Sequence, residues 1–351
     1  MNFSDLKIID LSTVLAGPSV GTFFAELGAE VIKIESPLFP DVTRSWKLPS
    51  EKTDSDISAY FSSVNFRKKY SKLDLTKSEE LEKLMQLLES ADILLSNFKK
   101  STEEKLGLTS SELLKKFPNL IIGKISGFGE ESDRVAYDLI LQAESGFMSM
   151  NGTEESGPVK MPVALIDVLA AHHLKEGILV ALLERMSTNK GKKVSVSLYD
   201  AAICSLANQA SNYLMERHVP KRIGSLHPNI APYGEIFTTK DNIQITLAIG
   251  SNQHFQKLTE LLAVTYLMED QRFSSNQSRV KNRLVLAELL QIELSKMNAN
   301  SFLDLCHKNY IPVAQIQNLT EVFDNESAKE LLRDEEINGI KTNRVTSIAF
   351  K

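Results

Sequence analysis

Short apolar runs alternate with amphipathic stretches through the first third of the chain, and the two carry different periods. Runs such as Lys7-Ile8-Ile9-Asp10-Leu11 and Val31-Ile32-Lys33-Ile34-Glu35, with 92–96 and 120–126, read as strands. Between them, 20–27, 78–90 and 110–116 place their apolar residues at helical spacing. Strands separated by helices of this length predict βαβ units and an α/β fold built on a Rossmann-like parallel sheet. Such a sheet binds its ligands beyond the C-terminal ends of its strands.

Helical patterns follow over 138–150, 167–186 and 197–216, with a polar turn at 189–193 before a short strand at 194–196. The texture changes near Pro232. Residues 233–237 and 243–248 flank a turn at 239–242 and predict a hairpin, and helices fill much of 252–300. The expected organisation is a nucleotide-fold domain over 1–215 that includes long linker helices, a smaller α+β domain over 225–330, and a C-terminal segment over 331–351.

A chain of 351 residues, 42% hydrophobic and 24% charged, has the composition of a globular protein with a sizeable core. Its net charge of −5 argues against general binding to nucleic acid or anionic membrane. The two cysteines, Cys204 and Cys306, lie far apart among apolar residues, so buried free thiols are expected. None of the six histidines has metal-ligand spacing backed by a carboxylate, and no metal is expected. The N-terminus opens directly on a strand-like segment, with no leader and no spanning apolar run, which makes the cytoplasm the expected address.

Asp167 is the residue out of place. It interrupts the apolar run Pro162-Val163-Ala164-Leu165-Ile166 and precedes a long helical pattern. A carboxylate there has two readings. It is an N-cap satisfying orphan N–H groups, or a nucleophile that the same N–H groups and the helix dipole keep ionised. The loop Leu15-Ala16-Gly17-Pro18-Ser19-Val20-Gly21, with Glu35 closing the next strand, raises a nicotinamide-dependent oxidoreductase as a further alternative. That loop lacks the G-x-G-x-x-G pattern, and Pro18 removes an N–H that would cradle a pyrophosphate.

A set of ordered segments carries a resemblance across nearly the whole chain. These are Leu15-Ala16-Gly17-Pro18, Leu27-Gly28-Ala29-Glu30-Val31-Ile32-Lys33-Ile34-Glu35, Asp41-Val42-Thr43-Arg44 and Asn65-Phe66-Arg67-Lys68-Lys69. Ile125-Ser126-Gly127-Phe128-Gly129, Ala136-Tyr137-Asp138-Leu139 and His227-Pro228-Asn229 continue it. Together they resemble the family III (class III) CoA-transferases, a family that also contains the α-methylacyl-CoA racemases.

The resemblance implies a CoA-transferase acting on an acyl-CoA and a small carboxylic acid, with coenzyme A esters as substrates and no permanently bound cofactor. It makes Asp167 the nucleophile, passing through an aspartyl anhydride and an aspartyl-CoA thioester. It places Tyr137 where the racemase branch has a histidine; a phenol is a poor acid/base partner at neutral pH, which favours the transferase. Asp138 is expected near Asp167, orienting or tuning it, with Gln142 one turn on.

Val14, Ala16, Arg44, Lys68, Lys99, Lys105 and Leu106 are the expected CoA-binding residues, with Lys100 as a further cation and Tyr60 beside the adenine. Trp46 either lines the acyl pocket or anchors its loop. Gly224 and Ser225 are candidate oxyanion donors. An interlocked homodimer of ring-shaped chains is implied as well.

The sequence also departs from the family. Ser36 stands where an arginine is usual, and Glu130-Glu131-Ser132 replace a Gly-Pro. The family continues beyond the position of Lys351, so the return segment 331–351 is expected to be shortened. The alternatives are a racemase or epimerase, and a degenerate acyl-CoA binder without catalysis.

Overall fold

The computed structural model describes residues 2–350. By contacts the chain forms two compact units: one of Met1–Ser149, Lys160–Pro220 and Glu330–Lys351, the other of Met150–Val159 and Lys221–Lys329.

The first unit is built on six parallel strands: β1 (Lys7–Asp10), β2 (Glu30–Glu35), β3 (Lys68–Lys72), β4 (Ile93–Ser96), β5 (Ile121–Ser126) and β6 (Lys193–Ser197), in the order β3-β2-β1-β4-β5-β6. Strand alternation divides the core into two layers. Ile8, Val31, Ile93 and Ile121 face helix α1 (Ala16–Glu26), while Ile9, Ile34, Leu94 and Ile122 face the Ser78–Leu88 helix on the other side. The order runs outward from β1 in one direction and from β4 in the other. The loops after β1 and β4 therefore part, opening a crevice at the switch point.

Two further helices position the site, α2 (Asp138–Glu144) and α3 (Leu165–Thr188). The latter packs close on the sheet. A Cβ at Gly123 of β5 would meet Ile178 of α3 at 2.9 Å, and one at Gly177 would meet Val194 at 2.5 Å. Bare backbone at both positions is what permits the approach.

The second unit carries a three-stranded antiparallel sheet of β7 (Tyr233–Thr238), β8 (Gln244–Ala248) and β9 (Val313–Gln315), in the order β9-β8-β7. Phe237, Leu247, Phe255, Leu286 and Phe302 form its core. Arg279 is wholly buried there without a carboxylate partner among the described residues; it donates to Ala231 O, Phe273 O and Asn252 Oδ1 and lies over the Phe255 ring.

The chain ends in a hairpin of β10 (Leu332–Ile337) and β11 (Ile340–Val345), which belongs to the first unit. Ile337 is buried against Ile57 and Phe61, and Arg344 pairs with Glu26 at the end of α1 while lying 4.3 Å from the Phe66 ring centre.

Several expectations are corrected. Residues 150–159 group with the second unit and not with 1–215, because the paired segments Gly152–Thr153 and Gly157–Pro158 are tied there by the Gly224 N–H and by Arg222. The pattern over 138–150 is two helices separated at Gly146, whose φ of 91° ends the first. That over 197–216 divides into α4 (Leu198–Cys204) and Ala207–Glu216. Cys204 is exposed; only Cys306 is buried. Among the described residues no helix is long and apolar enough to cross a membrane.

Candidate active site

The crevice at the switch point is lined by the loops after β1, β4 and β5 and by the start of α3, and it encloses about 380 Å³. The loop after β1 is built on buried charge. Asp10 accepts from the Ser12 N–H and pairs with Lys68 at 2.8 Å. Lys33 donates to Ser12 O and pairs with Asp41 at 3.1 Å, both side chains fully enclosed. Asp41 in turn accepts the N–H of Val14. Val14 has a φ of 74°, a left-handed conformation costly for a β-branched residue, and this contact helps hold it. Asn97 clamps the β4 loop to the β1 loop, accepting from Thr13 N and donating to Thr13 O.

Asp167 lies in the wall of this cavity, 8% exposed. It is not the N-cap. Helix α3 begins at Leu165, its cap residue Ala164 has no side chain to offer, and Asp167 stands in the first turn. The capping is done from outside: Asp138 of α2 accepts the Ile166 N–H at 2.8 Å. Gln142 donates to the other Asp138 oxygen at 2.7 Å and also brackets Met161, accepting its N–H at 2.8 Å and donating to its carbonyl.

The Asp167 carboxyl makes no hydrogen bond among the described residues. Burial, and then the negative charge of Asp138, push it up to about 7. Desolvation and a like charge thus work against the expectation that the helix terminus holds it ionised.

Of the expected CoA-binding residues, Val14, Ala16 and Lys99 line the cavity with Asp167, and so does Tyr137. Tyr137 is half-exposed at the start of α2. Lys99 donates to Asp133 O. Lys100 also reaches the cavity, paired with Glu131.

Lys68 does not contribute a cation to it. Its ammonium is enclosed by Asp10, Pro18 O and Asn65 Oδ1, and burial pulls it down to about 8. Arg44 is committed as well: it forks onto Glu35 through Nε and Nη2, and its guanidinium lies 3.7 Å from the Phe61 ring centre. Lys105 is exposed on the Lys100–Leu106 helix and does not line the cavity. Leu106 lines a smaller hollow of about 180 Å³ with Glu35, Ser36 and Asp74, which shares Thr13 and Phe98 with the main one.

Tyr60 packs edge-on against Trp46, 5.1 Å between ring centres. Its phenol is pushed up to about 12 by burial and then by the charges of Asp167, Asp138 and Asp41, so it senses the carboxylate pair. Gly224 and Ser225 lie in the second unit. The Gly224 N–H is already given to Gly152 O, which removes it as an oxyanion donor.

Sequence reasoning missed Lys124, which lines the cavity with 6% of its side chain exposed and pairs with Glu103 at 2.7 Å. A lysine inside the apolar run 120–126 was the available signal. The unusual Glu130 and Glu131 serve this same rim, Glu130 beside Lys193 and Lys124, and Glu131 beside Lys100.

Over residues 3–343 the chain matches the family model described as CoA-transferase family III. It belongs to CoA-transferase family III. Among similar family members, the succinate–glutarate CoA-transferase of Agrobacterium fabrum is 34% identical over 91% of this chain and 81% of its own length. The acetyl-CoA:oxalate CoA-transferase of Acetobacter aceti is 33% identical over 91% and 82%. The crystal structure of a CAIB/BAIF family protein from Brucella suis superposes with a TM-score of 0.86 at 33% identity, covering 99% of this chain and 91% of that one. The six-stranded sheet is thus a family III CoA-transferase fold.

Proposed function

We propose that this chain moves CoA from an acyl-CoA to a carboxylic acid, with Asp167 as the nucleophile. The observation that carries the reading is a buried carboxyl that makes no hydrogen bond among the described residues, stands in a crevice at the switch point and titrates near neutrality. In its ionised form Asp167 attacks the thioester carbonyl. An oxygen–carbon bond forms, the carbon–sulfur bond breaks, and the thiolate leaves with the electron pair.

The thiolate then attacks the aspartyl carbonyl and expels the donor acid as its carboxylate, leaving an Asp167 thioester. An acceptor carboxylate adds to that carbonyl, CoA thiolate departs again, and it captures the new acyl group while Asp167 is released. Lys99, Lys100 and Lys124 supply positive charge to the cavity for the anionic substrates. Tyr137, in place of an imidazole, supports transfer over α-proton exchange.

Several relatives are named for dicarboxylates, among them succinate, glutarate, oxalate and mesaconate. We assign this chain the same class of acid. The reading includes a homodimer, for which the exposed Val180, Leu183 and Met186 on α3 offer an apolar face.

The test is incubation with succinyl-CoA and a panel of dicarboxylates, with hydroxylamine added to trap the activated carboxyl. An Asp167 hydroxamate located by peptide mass supports the reading. Exchange of an α-proton with deuterated solvent in the absence of an acceptor acid supports the racemase instead. CoA-ester binding with neither signal leaves a non-catalytic binder.

A further inference from the structure

Asp138 and Asp167 form a carboxylate pair whose surroundings are unequal. Asp138 accepts two donors, the Ile166 N–H at 2.8 Å and the Gln142 amide at 2.7 Å. Asp167 accepts none among the described residues. Two nearby carboxylates do not both ionise freely, and hydrogen bonds to the charged form decide which one keeps its charge. The backbone N–H is fixed by the helix. The Gln142 amide is the adjustable donor, and it is 1% exposed. Its orientation is set by Met161: the Met161 N–H engages Oε1, which leaves Nε2 directed at Asp138.

Several other charges near α3 are occupied. Lys124 on β5 pairs with Glu103, Lys193 on β6 with Glu130, and Glu26 on α1 with Arg344. On α2, Glu144 pairs with Arg134. Lys99 and Lys100 in the cavity bond Asp133 O and Glu131. Tyr199 and Asp200 on α4, and His172, His173, Lys175, Glu176, Glu184 and Arg185 on α3 itself, are further titratable groups, with the Tyr60 phenol facing the pair.

We infer that Gln142 is a positioning residue: its amide keeps Asp138 as the charged member of the pair, so that Asp167 is the carboxyl that takes up and releases the proton. The proposal rests on the reading of Asp167 as nucleophile and extends it to a residue that does not line the cavity. It also explains the two hydrogen bonds to Met161. A glutamine free to flip would present its oxygen to Asp138 and lose the donor.

The experiment is a pH titration of the protein labelled with carbon-13 at aspartate carboxyls, followed by NMR, with the Asp167 resonance assigned from D167N. In the native protein one carboxyl, that of Asp167, is expected to move through a transition near neutrality. D138N keeps an oxygen for Ile166 but removes the charge, and is expected to lower the Asp167 transition by about one pH unit or more. Q142L is expected to bring Asp138 into the same transition, so that two resonances move together.

The inference is overturned if D138N leaves the Asp167 midpoint in place, or if folded Q142L still shows a single titrating carboxyl. Should Q142L fail to fold, Q142M in the D167N background serves instead, and an Asp138 midpoint unchanged from D167N alone overturns it equally. Hydroxylamine trapping on the native protein reports separately on the nucleophile, so the two failures are distinguishable.

Discussion

The Asp138 carboxylate accepts the Ile166 N–H, and in doing so takes the helix terminus away from Asp167, one residue further on. The backbone N–H stabilises one carboxylate, while burial, and then the charge of that carboxylate, destabilise the ionised form of its neighbour. The consequences can be measured.

Replacing Asp167 by Asn should stabilise the protein at alkaline pH. The folded-state value near 7 is raised above the ordinary 3.8. Between these values the folded state keeps a proton that the unfolded chain releases, so the Asp167 contribution falls as pH rises and reaches a constant deficit above about pH 8. The deficit is on the order of a few kcal/mol. D167N should therefore melt several degrees higher than wild type above about pH 8, with the gap closing toward about pH 4. Equal melting temperatures across the range would contradict the burial of an ionisable group here.

Transfer activity should show an acid limb set by the same group. With Asp167 acting as an ionised nucleophile, kcat/KM for succinyl-CoA rises through pH 7 and drops about tenfold per unit below about pH 6. A profile flat from about pH 5 to 8 would place the nucleophile elsewhere.

Lys68 and Arg44 should register as stability residues. Lys68→Met leaves the enclosed Asp10 without its counter-charge, an expected loss of about 3–5 kcal/mol in chemical denaturation. Arg44→Lys gives up the forked contact to Glu35 and the stacking on Phe61, an expected loss of about 1–3 kcal/mol. If either side chain bound CoA phosphates instead, its replacement would weaken CoA-ester affinity in calorimetry with little change in the denaturation midpoint.

Glu26 should govern how firmly the last residues are held. Its carboxylate accepts from Arg344, Thr346 Oγ1, and the N–H and Oγ of Ser347. Glu26→Ala removes all four contacts. Amide hydrogen exchange over 332–347 is expected to accelerate by about tenfold or more while β1 and β4 stay protected. Uniform acceleration would mean that the hairpin and sheet open together.

What could be read from the sequence followed from what side chains face. Strands β1, β2, β4 and β5 were legible because both faces of a covered parallel sheet demand apolar runs. Strand β3, Lys-Lys-Tyr-Ser-Lys, was not, because an edge strand carries charge on its open side. The hairpin 332–345 hid behind the same polar alternation.

Asp167 stood out as a carboxylate in an apolar run, and four of the seven residues expected to bind CoA do not share one fate with the other three. Val14, Ala16 and Lys99 line the cavity, whereas Arg44, Lys68, Lys105 and Leu106 do not. The side chain of Lys68 is consumed by Asp10, 58 residues earlier, and the cap on α3 comes from 28 residues upstream of Ile166. Partnerships at such distances are decided by strand order, which no local pattern contains.

Neither Asp138 nor Asp167 pairs with a cation among the described residues, so the two carboxylates repel each other when both are ionised. If Asp167 carries the acyl group as proposed, each covalent state makes it neutral and discharges that repulsion. The resting carboxylate is then the compressed end of the cycle and the acylated one the relaxed end. The electrostatic load falls on the last step, when the product takes its acyl group away and the two charges must face each other again.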